Sequence, residues 1–125
     1  MNRRGLIILA LALLVVSNSA FAPHAAANYD KVNQITLMGT VTHYLYNNPH
    51  VQIRFDVEDK DGNVQNWTAW STSPLRLYKV GWKRDALKPG DKITVSGGPD
   101  KDGSRNLSIR KLVSADGRVL TAGAE

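Results

Sequence analysis

Two histidines, a pair of carboxylates two residues apart and a run of cations among tryptophans are the places where this sequence could do chemistry. His43 and His50 carry imidazoles, ligands suited to copper and zinc. Their seven-residue spacing matches no metal signature, and the chain has no cysteine to complete a soft site. His24, the third histidine, lies in a segment expected to be removed. His43 reads as a polar residue on a strand, and His50 as a backbone hydrogen-bonding residue around the Asn48-Pro49 turn. A copper or zinc protein using His50 is the alternative.

Asp56 and Glu58 fall on one face of a strand, as paired-carboxylate hydrolysis would need, but such a pair is ordinarily a solvated face. Asp59-Lys60-Asp61-Gly62 and its echo Asp100-Lys101-Asp102-Gly103 resemble the start of a calcium loop. That geometry fails, because the glycine and glutamate required at positions six and twelve are Val64 and Trp70 when counted from Asp59. Both strings read as turns. No nucleophile elbow or Ser-x-x-Lys string supplies an activated nucleophile, so no enzyme and no cofactor is expected.

Arg76, Lys79, Lys83, Arg84 and Lys88 cluster in sequence near Trp67, Trp70 and Trp82. Aromatic platforms beside positive charge bind anionic or sugar ligands on small barrels, which makes Asn48, His50, Trp67, Trp82 and Arg84 the candidate ligand-binding residues. The expected partner is an envelope protein or a small anionic or carbohydrate ligand. Beyond residue 27 there are fourteen basic and eleven acidic side chains, a net charge of +3. So mild an excess argues against nucleic acid.

The elements that would position these residues follow a period of two. Ile35 to Leu45 reads as a long curved strand with Gly39 at its bulge or bend. Val51, Ile53, Phe55 and Val57 alternate with polar residues in a second strand, and Val64 to Trp70 forms a third. Ser73 suits a helix N-cap and Pro74 its first turn. Leu75, Leu77 and Tyr78 are expected to give that helix its apolar contacts, Gly81 ends it, and Trp82 packs back. Ile93 and Val95 mark a fourth strand ended by Gly97-Gly98-Pro99. A fifth runs near Leu107, Ile109 and Leu112, and a short segment surrounds Val119. Three strands, a helix and two or more strands is the order of a mainly β, OB-like barrel of five to six strands.

Ahead of that domain, Arg3 and Arg4 precede an unbroken apolar run from Leu6 to Val16 and small residues ending at Ala25-Ala26-Ala27. This is the pattern of a secretory signal peptide, and the run is too short to span a bilayer, which takes about 20 residues. Cleavage after Ala22 would put Pro23 at the new N-terminus, so cleavage after Ala27 is expected. Ser17, Asn18 and Ser19 argue against an uncleaved anchor. The expected product is one domain over residues 28–125, periplasmic or secreted, with no stable membrane anchor after cleavage.

Asn28-Tyr29-Asp30, Gly39-Thr40-Val41, Asn48-Pro49-His50-Val51, Asn66-Trp67, Ser73-Pro74, Gly81-Trp82, Leu87-Lys88-Pro89-Gly90-Asp91, Asp102-Gly103-Ser104 and Asp116-Gly117-Arg118 occur in order along the chain. In this combination the sequence resembles a family of small secreted bacterial proteins with no assigned function. It departs from that pattern at Trp70, where the family carries an acidic residue, and in lacking a His-His pair near the mature N-terminus. The resemblance implies an exported single-domain protein and no reaction. The expected function is an exported, non-catalytic binding or accessory module.

Overall fold

The computed structural model describes residues 28–122; the expected signal peptide lies outside them. The first strand, β1 (Ile35–Leu45), is followed by β2 (Gln52–Glu58), β3 (Val64–Trp70), a helix α1 (Pro74–Lys79), β4 (Lys92–Pro99), β5 (Asn106–Ser114) and β6 (Val119–Thr121). The alternation in β2 acts as expected: Val51, Ile53, Phe55 and Val57 are buried while Arg54 and Glu58 are exposed. The turn to β3 is held by Asp59, whose Oδ1 accepts from the backbone N–H groups of Asp61 and Asn63 at 2.9 Å each. Gly62, at φ +81°, supplies the left-handed backbone that turn requires.

β1 is the seam of the barrel. Its first half pairs with β4 from Ile35 to Thr40 and its second with β2 from Thr40 to Leu45, all antiparallel, with Thr40 in both ladders. Gly39 is not the bulge; the register shift falls between Val41 and His43. Gly39 is instead where β2 crosses closely, since a Cβ there would stand 2.5 Å from the Asp56 carbonyl oxygen and 2.8 Å from the Phe55 ring. β2 pairs with β3, β4 with β5, and β3 meets β5 in parallel from Thr68 to Trp70, which closes five strands into a barrel. β6 adds a short antiparallel edge to β5. The architecture is an OB-type barrel with its helix between β3 and β4.

Two local expectations are corrected. Gly97-Gly98-Pro99 continues β4 rather than ending it. A Cβ on Gly97 would lie 1.9 Å from the Ser108 carbonyl oxygen and one on Gly98 2.0 Å from that of Asp30, so these glycines allow backbones to touch. In α1, Ser73 Oγ accepts from the Arg76 N–H at 3.4 Å and Pro74 opens the helix, but only Leu77 is buried. At 100° per residue Leu75 points about 200° away from Leu77, and Leu75 and Tyr78 are each 65% exposed.

The core gathers Val41, Ile53, Phe55, Val95, Leu107 and Leu112 from the strands with Leu77, Trp82, Ala86 and Leu87 from the helix and the segment after it. The N-terminal end of the described chain is stitched to the β4–β5 loop. Tyr29 bridges Asp100, and the Lys101 N–H donates to the Asn28 carbonyl at 2.9 Å. Among the described residues, no helix is long and apolar enough to cross a membrane.

Candidate binding face

With Ile53 and Phe55 pointing into the barrel, Gln52, Arg54, Asp56 and Glu58 must point out of it. On β3 the buried Ala69 fixes the same parity, so Thr68 and Trp70 face outward. Register then lines up two rows across the outer surface. One runs His43, Arg54, Thr68, Asn106; the next runs Leu45, Gln52, Trp70, Ser108.

Two loops flank these rows. The β1–β2 loop carries Asn47, Asn48, Pro49 and His50, all exposed, with a cis Asn48–Pro49 peptide. It is anchored at its root by Tyr46, whose hydroxyl donates to the Pro74 carbonyl at 2.8 Å. Tyr44 Oη likewise donates to the Lys83 carbonyl at 2.8 Å. Burial, aided by Tyr46 and Asp85 and opposed by Arg84, raises the Tyr44 phenol well above its ordinary range and keeps it a donor. The β4–β5 loop is held by the buried Asp100, whose carboxylate accepts from the Asp102 N–H at 3.1 Å and from Ser104 Oγ at 3.1 Å. Ser104 Oγ accepts in turn from Asn106 Nδ2 at 2.9 Å, and Asn106 Oδ1 stands 3.5 Å from Trp70 Nε1. The loop ends at Arg105, exposed, whose carbonyl accepts from the Thr68 N–H at 3.0 Å.

The face is electrically divided. Arg54 and His43 stand together in one row beside the half-buried indole of Trp70, and the exposed Arg105 is tied to that row through its backbone bond to Thr68. Lower on the same strands Asp56 and Glu58 line a shallow depression with Met38, Thr40, Lys92 and Thr94. Lys92 Nζ there donates to Thr40 Oγ1.

The candidates read from sequence do not form one surface. Asn48 and His50 share the β1–β2 loop, where His50 is exposed and makes no hydrogen bond among the described residues, contrary to the expected backbone contact. Trp82 is wholly buried and unavailable to a ligand; its Nε1 donates to the Thr121 carbonyl at 2.9 Å. Trp67, opposite the inward Phe55, packs against the core. Arg84 is exposed and stands 5.5 Å from the centre of the Tyr46 ring, at the root of the β1–β2 loop and not on the strands that carry the two rows. None of Trp70, Arg54, His43 and Arg105 is among the ligand-binding residues expected from the sequence, although the sequence offers His43 as an imidazole ligand for a metal and places Trp70 beside the cations. Trp67 and Trp70, three apart on one strand, must face opposite ways, and the buried Ala69 decides which one faces out. Among the described residues no three His, Asp or Glu side chains gather where they could hold a metal ion.

A family of unknown function, DUF6152, matches residues 11–108. The chain belongs to this family. No curated protein matches it. Among solved structures, this DUF6152 chain is similar to the mitochondrial single-stranded DNA-binding protein Rim1 of S. cerevisiae, at 7% identity and a TM-score of 0.50, covering 74% of this chain and 98% of that one. It is also similar to a small single-stranded DNA-binding protein of Streptomyces coelicolor, at 21% identity and a TM-score of 0.46, covering 69% and 96% of the two chains. The likeness to Rim1 corrects one expectation. A net charge of +3 does not exclude nucleic acid, because a barrel of this fold is found in a single-stranded DNA-binding protein, and what matters for binding is where cations sit on the barrel.

Proposed function

We propose that the protein is an exported, non-catalytic OB-fold module that binds an extended single-stranded nucleic acid across the outer face of β1, β2 and β3. The observation that carries this reading is the row His43, Arg54, Thr68 beside Trp70, with Arg105 at its flank. Single strands bind by backbone charge neutralised in a groove and by bases stacked on aromatic rings. Arg54 and Arg105 supply the first component and Trp70 the second. The strand 2–3 face between the β1–β2 and β4–β5 loops is where this fold holds oligonucleotides, and the likeness to Rim1 supports the choice of ligand. Export is supported by Arg3, Arg4, the apolar run Leu6 to Val16 and Ala25-Ala26-Ala27.

The test is fluorescence anisotropy of a labelled oligothymidine at low salt and across a salt series. Binding should weaken as salt rises, since phosphate neutralisation releases counterions. Trp70→Ala should lose about 1–3 kcal/mol for one stacked base, and Arg54→Ala should flatten the salt dependence by about one phosphate contact. Absence of binding at low salt, or binding indifferent to both substitutions in folded variants, overturns the reading.

A further inference from the structure

The helix and the segment after it present a second surface that the β1–β2–β3 face does not include. Leu75 and Tyr78, neighbours on one side of α1, are each 65% exposed, and Val80 at its C-cap is 42% exposed. Val119, 56% exposed, lines one depression with Val80, Lys83, Asp85 and Arg118. Lone exposed apolar side chains are ordinary, but here they fall in two pairs, Leu75 with Tyr78 on the helix and Val80 with Val119 at the depression, joined by the short stretch from Leu75 to Val80, and such grouping marks a contact surface. Cations predominate around this group, although Asp85 shares the depression with Lys83 and Arg118. From Leu75 to Arg84 the chain holds Arg76, Lys79, Lys83 and Arg84, all exposed, and no carboxylate before Asp85. The other exposed apolar strand residues lack such a surround: Val64 pairs with Glu58, and Met38 shares its depression with Asp56 and Glu58.

We propose that this surface seats the protein reversibly on an anionic lipid bilayer. Charge complementarity selects a negative partner. Shape selects a bilayer over an acidic polypeptide, because Leu75 and Tyr78 project from a helix of six residues instead of lining a groove in which a chain could lie. Leucine and tyrosine projecting from such a surface enter the headgroup region, the phenol remaining at the wet boundary. Arginine and lysine stems follow the apolar surface while their charges reach lipid phosphates. The exposed apolar group is too small to hold the protein alone, so binding needs both contributions and should fail on neutral lipid.

The chain has no cysteine, so a single Leu75→Cys takes one environment-sensitive fluorophore, and Asn66→Cys on the outer face of β3 serves as its reference. A label reports only its own position, so the apolar run near the N-terminus does not contribute. Vesicles of equal parts phosphatidylglycerol and phosphatidylcholine should shift emission at position 75 to the blue and leave position 66 unchanged; vesicles of phosphatidylcholine alone should shift neither. Lys79→Ala with Lys83→Ala should weaken the effect about 25-fold at low salt, from about 1 kcal/mol per cation near the surface. If Leu75→Cys disturbs the fold, Tyr78→Cys repeats the measurement. No shift at position 75, an equal shift at both positions, or a shift undiminished by removing the two cations overturns the proposal. The same shift with polyglutamate in place of vesicles assigns the surface to an acidic polypeptide and also overturns it. Oligonucleotide binding is measured separately on the same variants, so the two surfaces can fail independently.

Discussion

Trp82 Nε1 donates to the Thr121 carbonyl at 2.9 Å, fastening the segment after α1 to the last strand of the sheet. The indole is wholly buried among Leu77, Ala86 and Leu87 in the core. Trp82→Phe should keep most of the packing and leave the Thr121 carbonyl without its donor, at about 1–2 kcal/mol. Trp82→Ala should cost about 3–5 kcal/mol, since it adds a cavity to the lost hydrogen bond. Urea denaturation of the two variants checks the order, and equal losses would show that the hydrogen bond, not the packing, dominates.

The parity of β2 gives a second expectation. Phe55 is 1% exposed inside the barrel, whereas its neighbour Arg54 stands on the outer face. Phe55→Ala should cost about 3–5 kcal/mol, a large share of the about 5–15 kcal/mol that holds a domain together. Arg54→Ala should cost under about 0.5 kcal/mol of stability while reducing oligonucleotide binding. Denaturant midpoints separate the two, and a destabilised Arg54→Ala would place that side chain in the fold's support instead of on its binding surface.

Tyr29 joins stability to pH. Burial, then the negative charges of Asp100 and Asp102, pushes its phenol from 10.0 up to about 12, and the hydroxyl is buried with no hydrogen-bond partner. A phenol whose folded value is raised holds its proton longer in the native state than in the unfolded one. Its contribution is therefore present in full below about pH 10 and lost as pH climbs toward 12. Tyr29→Phe should be nearly neutral at pH 7, because the hydroxyl it removes makes no hydrogen bond, and its stability should fall less steeply across that alkaline range. Thermal denaturation between pH 9 and 12 is the measurement; parallel curves for wild type and variant would refute the assignment.

The strands were legible because burial of one face writes a period of two into β2 and β5, and turn chemistry at Asp59 to Asn63 and at Ser73-Pro74 marks where direction changes. The proposed binding face was less so. Its members lie on the wet side of three strands, where nothing apolar constrains residue type. Arg54 and His43 became neighbours only through a ladder whose register shifts between Val41 and His43. Trp82 misled for the opposite reason: a tryptophan near cations suggests a platform, but composition cannot distinguish an indole that stacks on a ligand from one that fills a core. Gly97 and Gly98 misled because close backbone approach and strand termination use the same residue.

The proposed export makes a prediction about mass. The fold takes hold of the chain almost at once after Ala27: the Asn28 carbonyl accepts from the Lys101 N–H, Tyr29 is 4% exposed, and the Asp30 N–H donates to the Pro99 carbonyl at 2.8 Å. A peptidase acting after Ala27 would therefore cut where the chain enters the barrel, and Pro23 disfavours the earlier Ala20-Phe21-Ala22 site. Intact-mass spectrometry of protein recovered from the envelope or medium should find a chain beginning at Asn28, with Arg3 and Arg4 lost and the net charge reduced to +3. A chain beginning at Pro23 would restore His24 near the N-terminus and reopen it as a ligand. A chain retaining Met1 or Asn2 would refute export by cleavage.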